Sequence, residues 1–76
     1  MEKYKKFLLK LSPALRKRLI LAIEKIADGQ VSGLDIKKLH NEIPVYRCRV
    51  GKVRILFEKA EDGNRILAIK FRGDVY

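Results

Sequence analysis

Cysteine, histidine and tryptophan are nearly absent from this sequence of 76 residues, which has one Cys, one His and no Trp. A single thiol, Cys48, cannot form an internal disulfide, and this suits the reducing cytoplasm. A single imidazole, His40, excludes a site of several histidines, and no Cys/His cluster has the spacing of zinc ligands. We therefore expect no metal and no cofactor. No apolar run is long enough to cross a bilayer, so we expect no membrane span.

Acidic residues are scarce relative to basic ones. The chain has 9 Asp and Glu against 18 Lys and Arg, which gives a net charge of +9. This bias predicts a polyanionic partner, either nucleic acid, an acidic protein or both. A membrane surface is the weaker interpretation, because no stretch has the pattern of a secretory signal or an amphipathic anchor. The length and the hydrophobic content of 47% predict one packed domain over residues 1–76.

Two helices are predicted in the N-terminal half. Residues 2–10 have apolar side chains at helical spacing and predict a short first helix. Ser12-Pro13 then forms a good N-cap and first helical position, and Asp28-Gly29 supplies a stop. The apolar stripe of the second helix comprises Leu15, Leu19, Ala22, Ile23 and Ile26. Residues 30–43 are interpreted as a connector.

The second half predicts three strands. Residues 45–50 and 53–57 alternate in polarity on either side of a two-residue turn, Gly51-Lys52, and residues 65–71 follow after a strong turn signal. Leu67, Ile69 and Phe71 share one parity and are expected to face the core. The other inward side chains are Tyr46, Cys48, Val50, Val53, Ile55 and Phe57. The prediction is an α+β domain, with two N-terminal helices packed on a three-stranded antiparallel sheet.

The outward residues of this sheet are nearly all cationic on the central hairpin, with Glu58 as the main acidic exception. The basic side chains of this outward face are Arg47, Arg49, Arg54, Lys70 and Arg72, with Lys52 at the rim. The turn places Arg49 opposite Arg54, and like charges opposed across strands destabilise a sheet. This cost favours a surface that binds an anion such as a phosphate backbone. The alternative is an ordinary solvated face, because exposed arginines are common on sheets.

The order of these segments resembles the RelE/ParE toxin superfamily of toxin–antitoxin systems over nearly the whole chain. The motifs that carry the resemblance are Tyr-Arg-Cys-Arg-Val-Gly-Lys-Val-Arg at 46–54 and the ending Phe-Arg-Gly-Asp-Val-Tyr at 71–76. The resemblance implies a type II toxin of the RelE branch, which cleaves messenger RNA on the ribosome without a metal. It also implies two partners, a cognate antitoxin and ribosome-bound mRNA.

The resemblance assigns the active face to residues already found on the outward side of the sheet. The matching positions are Arg47, Arg49, Arg54, Arg72 and Tyr76. Arg54 and Arg72 would stabilise charge on the phosphate, since a planar guanidinium suits that role, and Tyr76 would stack on or orient a base. Lys52 and Lys70 are expected to add contacts to RNA.

The sequence departs from the family at three points. RelE proteins carry lysines where Arg47 and Arg49 stand, and arginine is a poor proton acceptor, which leaves Lys52 and Tyr76 as bases. Phe71 stands where a histidine is common. Family members usually have an edge strand before the first helix, and the sequence predicts none here. Either the start of the gene is truncated or the sheet lacks that strand. A bare edge would invite an antitoxin strand or self-association. The alternative functions are a ParE-like gyrase poison and an inactive protein that binds only its antitoxin.

Overall fold

The computed structural model describes residues 4–39, 44–61 and 63–74 of the chain. The helices are α1 (Lys5–Leu9) and α2 (Pro13–Ala27). The strands are β1 (Asp35–Lys38), β2 (Val45–Val50), β3 (Val53–Ala60) and β4 (Gly63–Phe71), followed by a short 3-10 turn (Arg72–Asp74). The strands form one antiparallel sheet in the order β1-β2-β3-β4. No helix in the described part of the chain is long and apolar enough to span a bilayer.

Local sequence signals determine where α2 begins and ends. The Ser12 hydroxyl accepts a hydrogen bond from the backbone N–H of Leu15 at 3.3 Å, and proline follows at the first helical position. Gly29 takes a positive φ of 75° just after the helix, as a C-terminal stop requires. The Arg16 guanidinium donates to the carbonyl of Leu8 at 3.0 Å, which ties α2 to the end of α1.

The core lies between the helices and one face of the sheet, as the apolar patterns predict. The buried side chains of the sheet are Cys48, Val50, Val53, Ile55, Phe57 and Ile69, and those of α2 are Leu19, Ala22, Ile23 and Ile26. Two ring pairs extend the core, with centroids 4.7 Å apart for Phe7 and Phe71 and 5.5 Å apart for Tyr46 and Phe57. The opposite face of the sheet is therefore free of the two helices.

The prediction of three strands is wrong by one, because part of the expected connector forms β1. Asp35 pairs with Arg49 and Ile36 with Cys48, so β1 adds an antiparallel edge strand to β2. Only Ile36 in this four-residue strand packs against the core. A single apolar residue produces no alternation of apolar and polar side chains from which a strand could be predicted. The strand is defined by its hydrogen bonds to β2 instead.

The predicted inward position of Leu67 is also wrong, because a β-bulge interrupts β4. Leu56 pairs with Ala68 whereas Phe57 pairs with Ile66, which leaves Leu67 without a partner on β3. The extra residue reverses the alternation from that point towards the N-terminal end of β4. Leu67 is consequently 43% exposed, and Ile66 packs against the core in its place.

Candidate nucleic-acid interface

One row of charged residues crosses all four strands on the face of the sheet that the helices leave open. The strand register places Asp35, Arg49, Arg54 and Lys70 side by side, one from each strand. Side chains directly opposed in an antiparallel sheet lie about 4.5–5.5 Å apart at Cβ. The predicted opposition of Arg49 and Arg54 is therefore confirmed, and it lies in the middle of a continuous row.

The two opposed arginines avoid each other by bonding to different partners. Arg49 turns towards β1, where its Nε and one terminal nitrogen each lie 2.6 Å from the same Asp35 carboxylate oxygen. Arg54 turns towards the hairpin turn, where one terminal nitrogen donates to the carbonyls of Gly51 at 2.8 Å and Val53 at 3.0 Å. The repulsion that the sequence predicted is thus reduced by divergence of the two side chains.

Arg54 is the least exposed member of the row, with 7% of its surface accessible. Burial lowers the pKa of its guanidinium, and the positive charges of Arg47, Arg49 and Arg72 lower that pKa further. The ordinary pKa of arginine is so high that Arg54 keeps its charge at neutral pH. These three cations are therefore close enough to repel Arg54, a repulsion that Asp35 partly offsets and that an added anion would relieve further.

Arg47 is also largely buried, with 15% of its side chain exposed. Its Nε is buried and has no hydrogen-bond partner in the described part of the chain. Its nearest acidic atom is an Asp35 carboxylate oxygen, 3.8 Å from a terminal nitrogen and too far for a good hydrogen bond. An unpaired buried donor is costly, and an added anion could contact only the exposed part of the Arg47 side chain.

Asp35 is the important residue of this face that the sequence analysis did not place. The expectation that Glu58 is the main acidic exception is incomplete, because Asp35 joins the row through the unpredicted strand β1. Glu58 lies elsewhere on the sheet and forms its own ion pair with Arg65 at 3.4 Å. Asp35 contacts Arg49 of the row, and its other carboxylate oxygen lies 3.8 Å from Arg47.

The basic residues at the end of the sheet lie beside the β2–β3 turn. The backbone N–H of Arg72 donates to the carbonyl of Lys52 at 2.8 Å, which holds the start of the 3-10 turn against the hairpin. Arg72 is exposed there, and its positive charge contributes to the lowered pKa of Arg54. Lys52 is also exposed, with its ammonium 5.7 Å from the ring centroid of Phe71.

The structure therefore brings together most of the residues that the sequence assigned to the site. Arg47, Arg49, Arg54 and Lys70 lie on one face, and Arg72 and Lys52 lie at its end. Tyr76, the aromatic member of the predicted site, lies outside the described residues, as does His40. Within residues 4–39, 44–61 and 63–74, no three His, Cys, Asp or Glu side chains are grouped as metal ligands.

An open groove of about 480 Å³ borders this face on the side of α2. Its charged lining residues are Arg18, Lys25, Asp35 and Arg49. Asp35 and Arg49 belong both to the groove and to the charged row, so the positive surface continues around the edge of the sheet towards α2. Cys48 lies beneath the row on the core side, where burial and then the charge of Asp35 raise the pKa of its thiol.

Comparison with known proteins agrees with this architecture. No family model matches the chain, and no curated protein sequence matches it. Among solved structures, a chain in the crystal structure of the RelB–RelE antitoxin–toxin complex from Methanococcus jannaschii is similar, with a TM-score of 0.74 and 29% sequence identity. The similarity covers 100% of this chain and 92% of that chain.

The fold is accordingly that of a RelE-like domain, with two helices on one face of an antiparallel sheet. The chain resembles the RelE-like toxin superfamily over its whole described length, as its hairpin and C-terminal motifs indicated.

Proposed function

We propose that this protein is the toxin of a type II toxin–antitoxin system and cleaves messenger RNA on the ribosome in the cytoplasm. The observation that carries the proposal is the cluster of Arg47, Arg49, Arg54 and Arg72 on the open face of a RelE-like sheet. Mutual repulsion within such a cluster is relieved by a phosphate, so the face favours a polyanion over a neutral ligand.

The proposed reaction is an attack by the ribose 2′-oxygen on the adjacent phosphorus. A new phosphorus–oxygen bond forms, the bond to the 5′-oxygen of the next nucleotide breaks, and a cyclic phosphate and a free 5′-hydroxyl result. Charge accumulates on the phosphate oxygens in the transition state, where guanidinium groups of the cluster would bind them. This positioning and charge stabilisation is the contribution of the described arginines.

Proton transfer requires another group, because arginine does not release its proton at neutral pH. The attacking hydroxyl loses a proton and the departing oxygen gains one. Lys52, exposed beside the turn, and Tyr76 are the two residues that we assign to this step. The cluster alone supports the binding part of the proposal, whereas cleavage depends additionally on one of these two side chains.

A translation extract programmed with a defined message tests the proposal. Wild-type protein is expected to give cuts at codon-spaced positions, mapped by primer extension. Arg72→Ala should reduce cutting by at least about a hundredfold, the size of effect seen when one preorganised transition-state donor is lost. Its backbone hydrogen bond to Lys52 survives this substitution.

Arg65→Ala is the matched control for that experiment. It removes the same charge from an exposed arginine whose partner is Glu58 rather than the cluster. It should cut like wild type. An uncut message with folded wild-type protein would refute cleavage, and equal losses in the two variants would show that total charge alone matters.

A gyrase poison is the second candidate function, and the arginines at positions 47 and 49 favour it. Since neither can act as a general base, a protein that binds its target without cleaving RNA is consistent with the cluster. Inhibition of gyrase supercoiling together with an intact message would favour this alternative. Inertness in both assays, with tight binding to an antitoxin, would indicate a protein that has only the binding function.

A cognate antitoxin is the expected protein partner under either function. The similar structure is an antitoxin–toxin complex, and a net charge of +9 suits a partner with an acidic binding segment. A small acidic reading frame beside the gene should encode a protein that copurifies with this chain. Expression of that frame should relieve the growth arrest caused by wild-type protein.

A further inference from the structure

The contact between Asp35 and Arg49 is a short ion pair on an exposed surface, in which the Arg49 Nε donates to one carboxylate oxygen and a terminal nitrogen lies equally close to that oxygen. Both distances are 2.6 Å, and the side chains of Asp35 and Arg49 are 45% and 54% exposed. The carboxylate therefore occupies the edge of the guanidinium that a phosphate oxygen would bind. RNA can reach this arginine fully only if it displaces Asp35.

The same carboxylate also acts on the neighbouring arginine. Its second oxygen lies 3.8 Å from a terminal nitrogen of Arg47, whose buried Nε has no partner. Asp35 thus lowers the positive potential at two arginines while satisfying only one of them. Exposed ion pairs shift equilibria by less than about fivefold, so a phosphate can displace this one easily.

We infer that Asp35 is an internal competitor for phosphate, which occupies Arg49 in the free protein and lowers the affinity of the arginine cluster for RNA. The inference rests on the proposed binding of RNA to this face. Its consequence is selectivity. RNA that binds only through its phosphates must displace Asp35 to reach Arg49, and this displacement lowers its affinity. A target that also contacts the protein elsewhere gains affinity from those contacts, so the protein favours such a target.

The test measures binding of a fluorescein-labelled, single-stranded oligoribonucleotide of mixed sequence by anisotropy. Asp35→Asn keeps the shape of the side chain and removes its charge. We expect RNA affinity to rise by about threefold to fivefold, the upper end of what an exposed ion pair contributes. The slope of log affinity against log salt concentration should steepen by about 0.7, the value for one additional phosphate contact on single-stranded RNA.

Glu58→Gln is the matched control. It makes the same change in net charge on the same sheet, but Glu58 pairs with Arg65 and not with the cluster. Its effect on RNA affinity should stay below about twofold, because long-range charge on an exposed surface is screened by salt. A second test repeats Asp35→Asn in an Arg49→Gln background, where the affinity gain should shrink, because only the longer contact of Asp35 with Arg47 remains.

The outcomes separate this inference from the proposed function. RNA binding by wild-type protein with equal effects of Asp35→Asn and Glu58→Gln would overturn the competitor role alone. Weaker RNA binding by folded Asp35→Asn would also overturn it, and would make Asp35 a residue that positions Arg49 for RNA. No RNA binding by wild type or by Asp35→Asn would overturn both proposals.

Discussion

Replacement of Arg54 should affect both the folding and the activity of this protein, and the two effects can be separated. One terminal nitrogen of its guanidinium donates to the carbonyls of Gly51 and Val53, at 2.8 and 3.0 Å. Arg54→Ala removes both hydrogen bonds. The bond to Val53 is buried, and loss of a buried bond from a charged donor costs about 1.5–3 kcal/mol.

The remaining contributions of Arg54→Ala to the free energy of unfolding are smaller and partly cancel. The Gly51 carbonyl lies at an exposed turn, so water replaces that bond at a cost of about 0.5–1 kcal/mol. Relief of repulsion from Arg47, Arg49 and Arg72 acts in the opposite direction, as the lowered pKa of Arg54 indicates. We expect a net loss of about 2 kcal/mol, which corresponds to a fall in melting temperature of roughly 8–16 °C for a domain of this size.

The assay combines urea unfolding, followed by circular dichroism, with message cleavage at a temperature where every variant is folded. Arg54→Lys should recover part of the stability, because an ammonium can still donate to the turn carbonyls. It should not recover cleavage, since a point charge does not reproduce the planar guanidinium. Two patterns would refute this reasoning: Arg54→Ala as stable as wild type within about 0.5 kcal/mol, or Arg54→Lys with full cleavage.

Two further predictions concern the core side of the hairpin. Gly51→Ala should cost about 1–3 kcal/mol in chemical denaturation, because φ is +58° and the new Cβ would lie 3.1 Å from the Leu15 Cδ1 atom. Gly73→Ala, which meets nothing within 4 Å, should be close to neutral, and equal losses would refute the argument. The Cys48 thiol, buried and with a raised pKa, should react with a thiol reagent at neutral pH at least about a hundredfold slower than in urea. Rapid labelling of the folded protein would contradict its burial.

The hairpin at 45–57 could be predicted because its information is local. Alternation with period two on both sides of Gly51-Lys52 leaves one register that places most apolar side chains on one face, with Val45 and Leu56 as exceptions. Gly51 has a φ of +58°, and Lys52 after it does not have a positive φ. This is the backbone pattern of a type II′ turn. The pairing of Arg49 with Arg54 follows from this register. The interpretation of the outward face as a surface that binds an anion follows from the same pairing.

The two wrong predictions, the number of strands and the inward position of Leu67, concern places where contacts between residues distant in sequence determine the structure. β1 forms on the edge of β2 with only Ile36 packed inward, so no periodicity marks it. The bulge at Leu67 reverses an alternation that the sequence continues without interruption. Missing β1 also meant missing Asp35, and with it the ion pair that occupies Arg49. Arg47, Arg49 and Arg54 lie on the predictable hairpin, whereas Asp35, which contacts Arg49, lies on the strand that was not predicted.

The order of the strands in the sheet has a consequence for how the chain folds. Every strand pairs with its neighbour in sequence, so each pairing closes only a short loop and costs little chain entropy. Attachment of α2 is different, since the side-chain amide of Asn64 donates to the Ile26 carbonyl at 2.9 Å across 38 residues. We expect the meander to assemble early and the docking of α2 to limit the folding rate.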